Sequence, residues 1–276
     1  MPKVSVLTPI YNTNPQFLKE MIESVLSQTF ADFEFLILND SPANAELDRV
    51  VSEYQAKDSR IRYLKNEVNL GITGSRNRLF DEAKGEYLAI LDHDDVCAPE
   101  RFAEQVAYLD ANPGVGVVGT YASKIGPGRP LHFPVENMAI KRAMMHVCVI
   151  SHSSSMLRKS VMEEHGIRWE AEYSPCEDYM LWARLMQWTM FHNIPKELLK
   201  WRIYEQSSGA SSAKLMDDRA AMVRSYLRRE YPDFLNASRE YRLFGCVPIL
   251  TKKVRAGNDV RYFLLGKIPL LRISDK

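Results

Sequence analysis

Two periodicities alternate along the first 120 residues of the chain. The runs "VSVLTP", "FEFLIL", "RIRYL", "EYLAIL" and "GVGVVG" are short and apolar, as buried strands are. Between them, Phe17, Leu18, Met21, Ile22, Val25 and Leu26 recur at helical spacing, as do Leu47, Val50, Val51 and Tyr54. The segment "GITGSRNRLFDEAKG" opens and closes on glycine, as a helix with flexible ends does. Strand, helix, strand, helix predicts right-handed parallel crossovers and an α/β fold, a Rossmann-like mostly parallel sheet with helices on both faces. Ligands bind such sheets at the carboxyl ends of the strands. The polar clusters fall there: Thr8 to Asn12, Asn39 to Ser41, and Asp92 to Asp95.

The last cluster, "DHDD", sets three carboxylates beside one another at the end of an apolar strand. A hard divalent cation relieves that repulsion, and Mg²⁺ or Mn²⁺ typically takes one or two protein carboxylates together with substrate phosphates. The alternative is that Asp94 and Asp95 cap a helix beginning at Pro99. A second acid, Asp40, at a neighbouring strand end favours a shared nucleotide pocket. Neither GxxxxGK[ST] nor a GxGxxG after the first strand is present, so a glycine cradle for phosphates is not expected.

Four segments in order, "VSVLTPIYN", "QTFADFEFLILNDSP", "GSRNRLFDEAKGEYLAILDHDD" and "CEDYMLWARL", resemble the successive motifs of the family 2 glycosyltransferases, bacterial inverting enzymes of the GT-A fold. The resemblance runs over about residues 3 to 210. It implies that Pro9 and Tyr11 flank the base of a nucleotide, usually uracil, and that Asp40 hydrogen-bonds it. Asp92 matches the first acid of the aspartate motif, Asp94 the acid near the ribose, and Asp95 the metal ligand, with Asp94 a second candidate. Arg76 stands where the family often places an arginine facing the diphosphate; alone, it reads equally as a solvated helix charge. Asn39 replaces an aspartate common in the family.

In the second half, "VISHSSSMLRKSVMEEHG" has the strand-then-helix form of the family's acceptor side. His152 there is either a substrate contact or a structural histidine. Glu177 and Asp178 open a helix whose dipole favours acids, so capping alone accounts for them. Their match to the family's "ED" motif implies that Asp178 is the catalytic base and that Glu177 supports the helix entry or the acceptor. "WRIYEQSSGASS" resembles a segment that folds over the diphosphate, with Arg202 and Ser207 as candidate contacts and Tyr204 where a histidine is frequent; residues 207 to 212 suit a lid.

These roles imply a metal-dependent inverting transfer from a nucleotide diphosphate sugar, a UDP-sugar by family precedent, to a hydroxyl of a glycan or lipid-linked acceptor. A nucleotidyltransferase would carry a Gly- and Lys/Arg-rich phosphate signature after the first strand, and "TPIYNTNP" has none. A binding module that had lost activity would be expected to lack Asp95 or Asp178.

Composition adds an asymmetry that the net charge of +1 conceals. Residues 1 to 215 carry 23 Lys and Arg against 28 Asp and Glu, whereas residues 216 to 276 carry 13 against 7, a net of +6. The expected organisation is a glycosyltransferase domain over 1–215, with a nucleotide-sugar half to about 120 and an acceptor half beyond it. A basic, mainly helical extension follows over 216–276. Its mixture of Lys and Arg with Phe, Leu and Ile suits either the surface of an anionic membrane or a packed terminal element. No run approaches the roughly 20 apolar residues of a membrane helix, and the first residues lack the order of a signal peptide. A cytoplasmic protein, with or without peripheral membrane contact, is expected, and a nucleic-acid partner is not. Cys97, Cys148, Cys176 and Cys246 are scattered, which supports neither a zinc site nor a disulfide framework.

Overall fold

The computed structural model describes residues 1–202, 213–235, 238–243, 247–255, 259–264 and 268–273. Strands β1 (Val4–Ile10), β2 (Phe33–Asn39), β3 (Ile61–Lys65) and β4 (Tyr87–Ile90) form on the apolar runs, and β6 (Val115–Lys124) on the fifth. Between them lie α1 (Pro15–Leu26), α2 (Ala45–Gln55) and α3 (Gly71–Glu82). Every residue of β1 and β2 is buried, because helices cover the sheet on both faces. Two apolar cores result. One holds Val4, Val6, Phe35 and Ile37 with α1 and α2; the other holds Leu7, Leu36 and Leu38 with Leu79 and Phe80 of α3.

The sheet has eight strands in the order β3-β2-β1-β4-β7-β6-β8-β5, where β5 is Val96–Cys97, β7 is Met156–Arg158 and β8 is Met190–Trp201. β1 pairs in parallel with β2 and β4, and β2 with β3. β7 runs antiparallel to both β4 and β6, and β5 antiparallel to the end of β8. Chain reversal thus begins where the first half meets the second. Helix α4 (Arg101–Ala111) ties this junction together: Arg101, fully buried, donates to the carbonyls of Ile90 at 2.8 Å and Ser155 at 3.1 Å. Gly85 closes the turn from α3 into β4 so tightly that a Cβ would lie 2.5 Å from the Ser5 nitrogen.

The second half adds α5 (Asn137–Met144), a 3-10 turn at His152–Ser154, α6 (Lys159–Glu164) and α7 (Glu177–Leu185). The helical part of the C-terminal region is α8 (Ala213–Glu230) and α9 (Pro232–Leu235). Val223 and Leu227 of α8 are buried in the same core as Met180, Leu181 and Trp182 of α7, and the Tyr231 hydroxyl donates to the Ala183 carbonyl at 3.0 Å. The expected boundary near residue 215 therefore lies inside a packed helix. Beyond it, β9 (Ser238–Leu243), β10 (Val247–Arg255), β11 (Asp259–Leu264) and β12 (Ile268–Ile273) form a separate antiparallel sheet in simple meander order. No helix among the described residues is long and apolar enough to cross a membrane.

Candidate active site

The chain turns sharply after β1, where Asn12 takes a positive φ of 46°, and its N–H donates to the Ser41 hydroxyl at 2.8 Å. The loops after β1 and β2 are thereby fixed to each other. Asp40, buried, accepts from Asn66 Nδ2 at 2.6 Å and from the Leu70 N–H at 2.8 Å, both on Oδ1. A cavity of about 480 Å³ opens here, lined by Tyr11, Asn12, Asp40, Ser41, Asn44 and Asn69 among others. Tyr11 is half exposed at its rim, whereas Pro9 is buried within β1 opposite Leu38 and does not line the cavity. Asn39 has a structural reason. Its amide donates to Asp48 Oδ1 and to the Tyr63 hydroxyl, each at 3.0 Å, where an aspartate would face a second carboxylate.

The aspartate loop spans β4 and β5. Helix α4 begins at Arg101 with Glu100 at its cap, so neither Asp94 nor Asp95 is a helix cap. Asp95 is buried and accepts the backbone N–H of Arg202 at 3.1 Å. Burial, with Asp92 and Asp94 beside it, pushes its carboxyl up to about 8. The Ser153 hydroxyl serves both acids, donating to Asp95 and accepting the Asp92 N–H at 3.0 Å. The "SHSSS" run was its only sequence signal. Burial opposes ionisation of Asp92, but the charge and hydrogen bond of Arg76 together with the neighbouring His152 and His93 outweigh it and hold Asp92 below the ordinary carboxylate range.

Arg76 also joins the two halves, from inside the site. It projects from α3, is only 6% exposed, and places Nη2 3.0 Å from Asp92 and Nη1 2.5 Å from Glu177, 101 positions away. It is therefore not a solvated helix charge. Glu177 and Asp178 occupy the first turn of α7, and Asp178 Oδ1 accepts the Tyr179 N–H at 2.6 Å. Burial and the adjacent Glu177 push the Asp178 carboxyl up to about 7, against the pull of Arg76. A carboxylate with that midpoint is matched to proton abstraction near neutral pH.

His152 lies in the 3-10 turn before β7, and its Nε2 accepts the Trp169 indole N–H at 3.1 Å. Burial and the Arg76 charge lower it to about 3, so it is neutral and held in an aromatic setting with Trp169 and Trp182. Arg202 donates from Nε to the Asp94 carbonyl at 3.1 Å and from Nη2 to Glu20 at 2.5 Å, stacked 4.0 Å over Phe17. It fastens the aspartate loop to α1. Tyr204, Ser207 and the segment 207–212 lie outside the described residues.

A cation would be held at the aspartate loop. Among the described residues, no three His, Cys, Asp or Glu are grouped so as to enclose an ion. The donor set instead offers Asp95, buried among like charges, with Asp94 beside it. That fits a hard cation drawing most of its ligands from phosphate and water.

The model of the family described as "Glycosyl transferase family 2" matches residues 5–166, which take in the Asp40 cavity, Arg76, the aspartate loop and His152. The chain belongs to that family. It is 33% identical over 219 residues to an uncharacterised glycosyltransferase of Methanocaldococcus jannaschii, covering 77% of this chain and 75% of the relative. It is 28% identical over 211 residues to the amylovoran biosynthesis glycosyltransferase of Erwinia amylovora, covering 72% and 75%. The fold is shared with S. aureus TarS, solved in complex with UDP-GlcNAc (TM-score 0.69, 19% identity, 85% of this chain and 72% of that one). It is shared also with a mannosyltransferase of Pyrobaculum calidifontis, solved with GDP-Man and Mn²⁺ (TM-score 0.61, 16% identity, 85% and 72%). This family 2 glycosyltransferase thus has the GT-A fold expected from its motifs, and its activity is sugar transfer.

Proposed function

We propose that the protein is a metal-dependent, inverting glycosyltransferase that moves a sugar from a nucleoside diphosphate sugar, of the UDP class, to a hydroxyl of a glycan or lipid-linked acceptor. The observation that carries this reading is the Arg76 bridge, because it brings the aspartate loop and the Glu177–Asp178 turn into one site. The nucleotide base lies in the Asp40 cavity against Tyr11. Asp40 Oδ1 is already occupied by Asn66 and Leu70, which leaves Oδ2 to accept an imide N–H of uracil. Asp94 and the loop backbone face the ribose and diphosphate. Asp95, with Asp94, would hold Mn²⁺ or Mg²⁺, which supplies Lewis-acid stabilisation of the departing diphosphate.

Transfer breaks the anomeric C–O bond as the sugar ring gains oxocarbenium character. The acceptor hydroxyl, with a pKa far above 7, must lose its proton as it attacks. Asp178 takes that proton, on the oxygen its own turn does not use. A single carboxylate on the attacking face suffices for in-line displacement with inversion; two flanking carboxylates acting as nucleophile and acid would instead perform hydrolysis. The solved complexes named above, with a UDP-sugar and with GDP-Man and Mn²⁺, support donor class and metal but differ in the base. The basic C-terminal region is assigned to peripheral contact with an anionic membrane bearing the lipid-linked acceptor.

Calorimetric titration with UDP and GDP, each with and without Mn²⁺, tests donor class. UDP binding strengthened by Mn²⁺ is expected. Equal, metal-independent binding of both nucleotides would remove the UDP and metal assignments. The anomeric configuration of the product, read by NMR, decides between inversion and retention.

A further inference from the structure

The Arg76 ion pair does more than close the site. We propose that Arg76 is a positioning residue for the transfer reaction, locking the first turn of α7 to the aspartate loop and standing as a cation between the carboxylates that surround Asp178. The inference rests on Asp178 being the base. It starts from geometry: the guanidinium, 6% exposed, contacts Asp92 on the donor side at 3.0 Å and Glu177 on the acceptor side at 2.5 Å.

Among the described residues, Glu177 has no side-chain partner other than Arg76. Glu177 is 6% exposed and its second carboxylate oxygen has no hydrogen-bond partner there, nor does Arg76 Nε. Loss of Arg76 would therefore leave Glu177 a buried charge without a partner, whereas loss of Glu177 leaves Arg76 paired with Asp92. The groups acting on Asp178 are Glu177 on its own helix, Arg76 on α3, Asp92 on the aspartate loop, and the thiols of Cys148 and Cys176. Two of these are carboxylates and one is a cation. Both thiols are held protonated, Cys148 by burial and Asp178, Cys176 by burial, Asp178 and Glu177, so neither supplies a competing charge. Removal of Arg76 leaves the two carboxylates unopposed and raises the proton affinity of Asp178. Removal of the Glu177 charge lowers it. A residue serving only to hold the fold would move neither.

The test is a ¹³C NMR titration of side-chain carboxyl-labelled protein, with the Asp178 resonance assigned by its absence in Asp178→Asn. Relative to the parent, Arg76→Met is expected to shift the Asp178 midpoint upward by about one pH unit, a tenfold gain in proton affinity, and Glu177→Gln to shift it downward by a similar amount. Arg76→Lys should keep the midpoint near that of the parent, because the charge remains. Should Arg76→Met fail to fold by circular dichroism, Arg76→Gln, which removes the charge but keeps hydrogen-bond donors toward Asp92 and Glu177, takes its place with the same upward shift expected. An unmoved or lowered midpoint in the folded Arg76 variant, or an unmoved one in Glu177→Gln, would overturn the proposal. The base assignment is tested separately by glycosyl transfer in Asp178→Asn: parent-like turnover there, alongside the opposite shifts, would end the catalytic reading and leave the electrostatic one standing.

Discussion

Replacing Asp178 by asparagine should make the enzyme slower and the fold more stable, and both effects follow from one property of the site. The Asp178 carboxyl is raised from 3.8 to about 7 by burial and by Glu177. The folded chain therefore keeps a proton that the unfolded chain gives up near pH 4. Stability linked to this group is fully present below pH 4 and is lost as pH rises through about 7. A rise of that size is on the order of a few kcal/mol above pH 7, at roughly 1.4 kcal/mol per pK unit. The asparagine side chain cannot ionise and escapes the whole penalty. Asp178→Asn should thus denature above the parent temperature at pH 8 and near it at pH 4. Asp95 also titrates late, but it is present in both proteins and cancels in the difference. In parallel, nucleoside diphosphate release coupled to transfer should fall by about 10²–10⁴-fold. The parent rate should drop on the acid side, with about half of the Asp178 population ionised near pH 7 and about a tenth at pH 6. Denaturation midpoints offset by the same amount at both pH values, or a parent rate flat from pH 8 to pH 6, would refute the reasoning.

Asp95→Ala should abolish the Mn²⁺-dependent gain in UDP affinity by calorimetry while far-UV circular dichroism stays unchanged; equal metal dependence in mutant and parent would take Asp95 out of the metal site. Gly85→Ala should destabilise by about 1–3 kcal/mol in urea denaturation, since the added carbon would lie 2.5 Å from the Ser5 nitrogen, in backbone that cannot rotate away. Deleting residues 241–276 should weaken sedimentation with anionic liposomes at low salt, provided the shortened protein stays soluble; unchanged association would end the membrane assignment. Arg76 and Glu177 substitutions should move the Asp178 titration in opposite directions, as described above.

β1, β2 and β4 were legible because burial on both faces writes them as mainly apolar runs, β3 at the sheet edge less so, and the helices between them because one face must be apolar. β8 was not legible. Its sequence "MFHNIPKELLKW" carries a proline and alternates charge with apolar residues, since several of its side chains face solvent while others pack beneath α4. Of the mainly helical extension expected, α8 and α9 are present, while the four strands of the meander that follow them, which mix Lys and Arg with aliphatics, were not read. Within the site, Asp40, Asp92, Asp94, Asp95 and Asp178 stood out as acids at element ends. The pairing of Arg76 with Glu177 did not, because two residues 101 positions apart leave no local signature of their contact. Ser153 and Asn66 were missed for a similar reason: a serine or an asparagine is ordinary in a loop until the carboxylate it serves is brought beside it.

The strand order carries a consequence for how such enzymes diversify. β5 follows directly on the aspartate loop, yet it sits at the far edge of the sheet, so strands contributed by the second half lie between two pieces of the first. Segments of the two halves of the chain are therefore plaited rather than docked. A chimera that takes residues 1–120 from one relative and the remainder from another must match a β4–β7 seam, a β8–β5 seam and the Arg76–Glu177 contact simultaneously. Exchanging surface loops that leave these seams untouched therefore disturbs the fold less than recombining the halves.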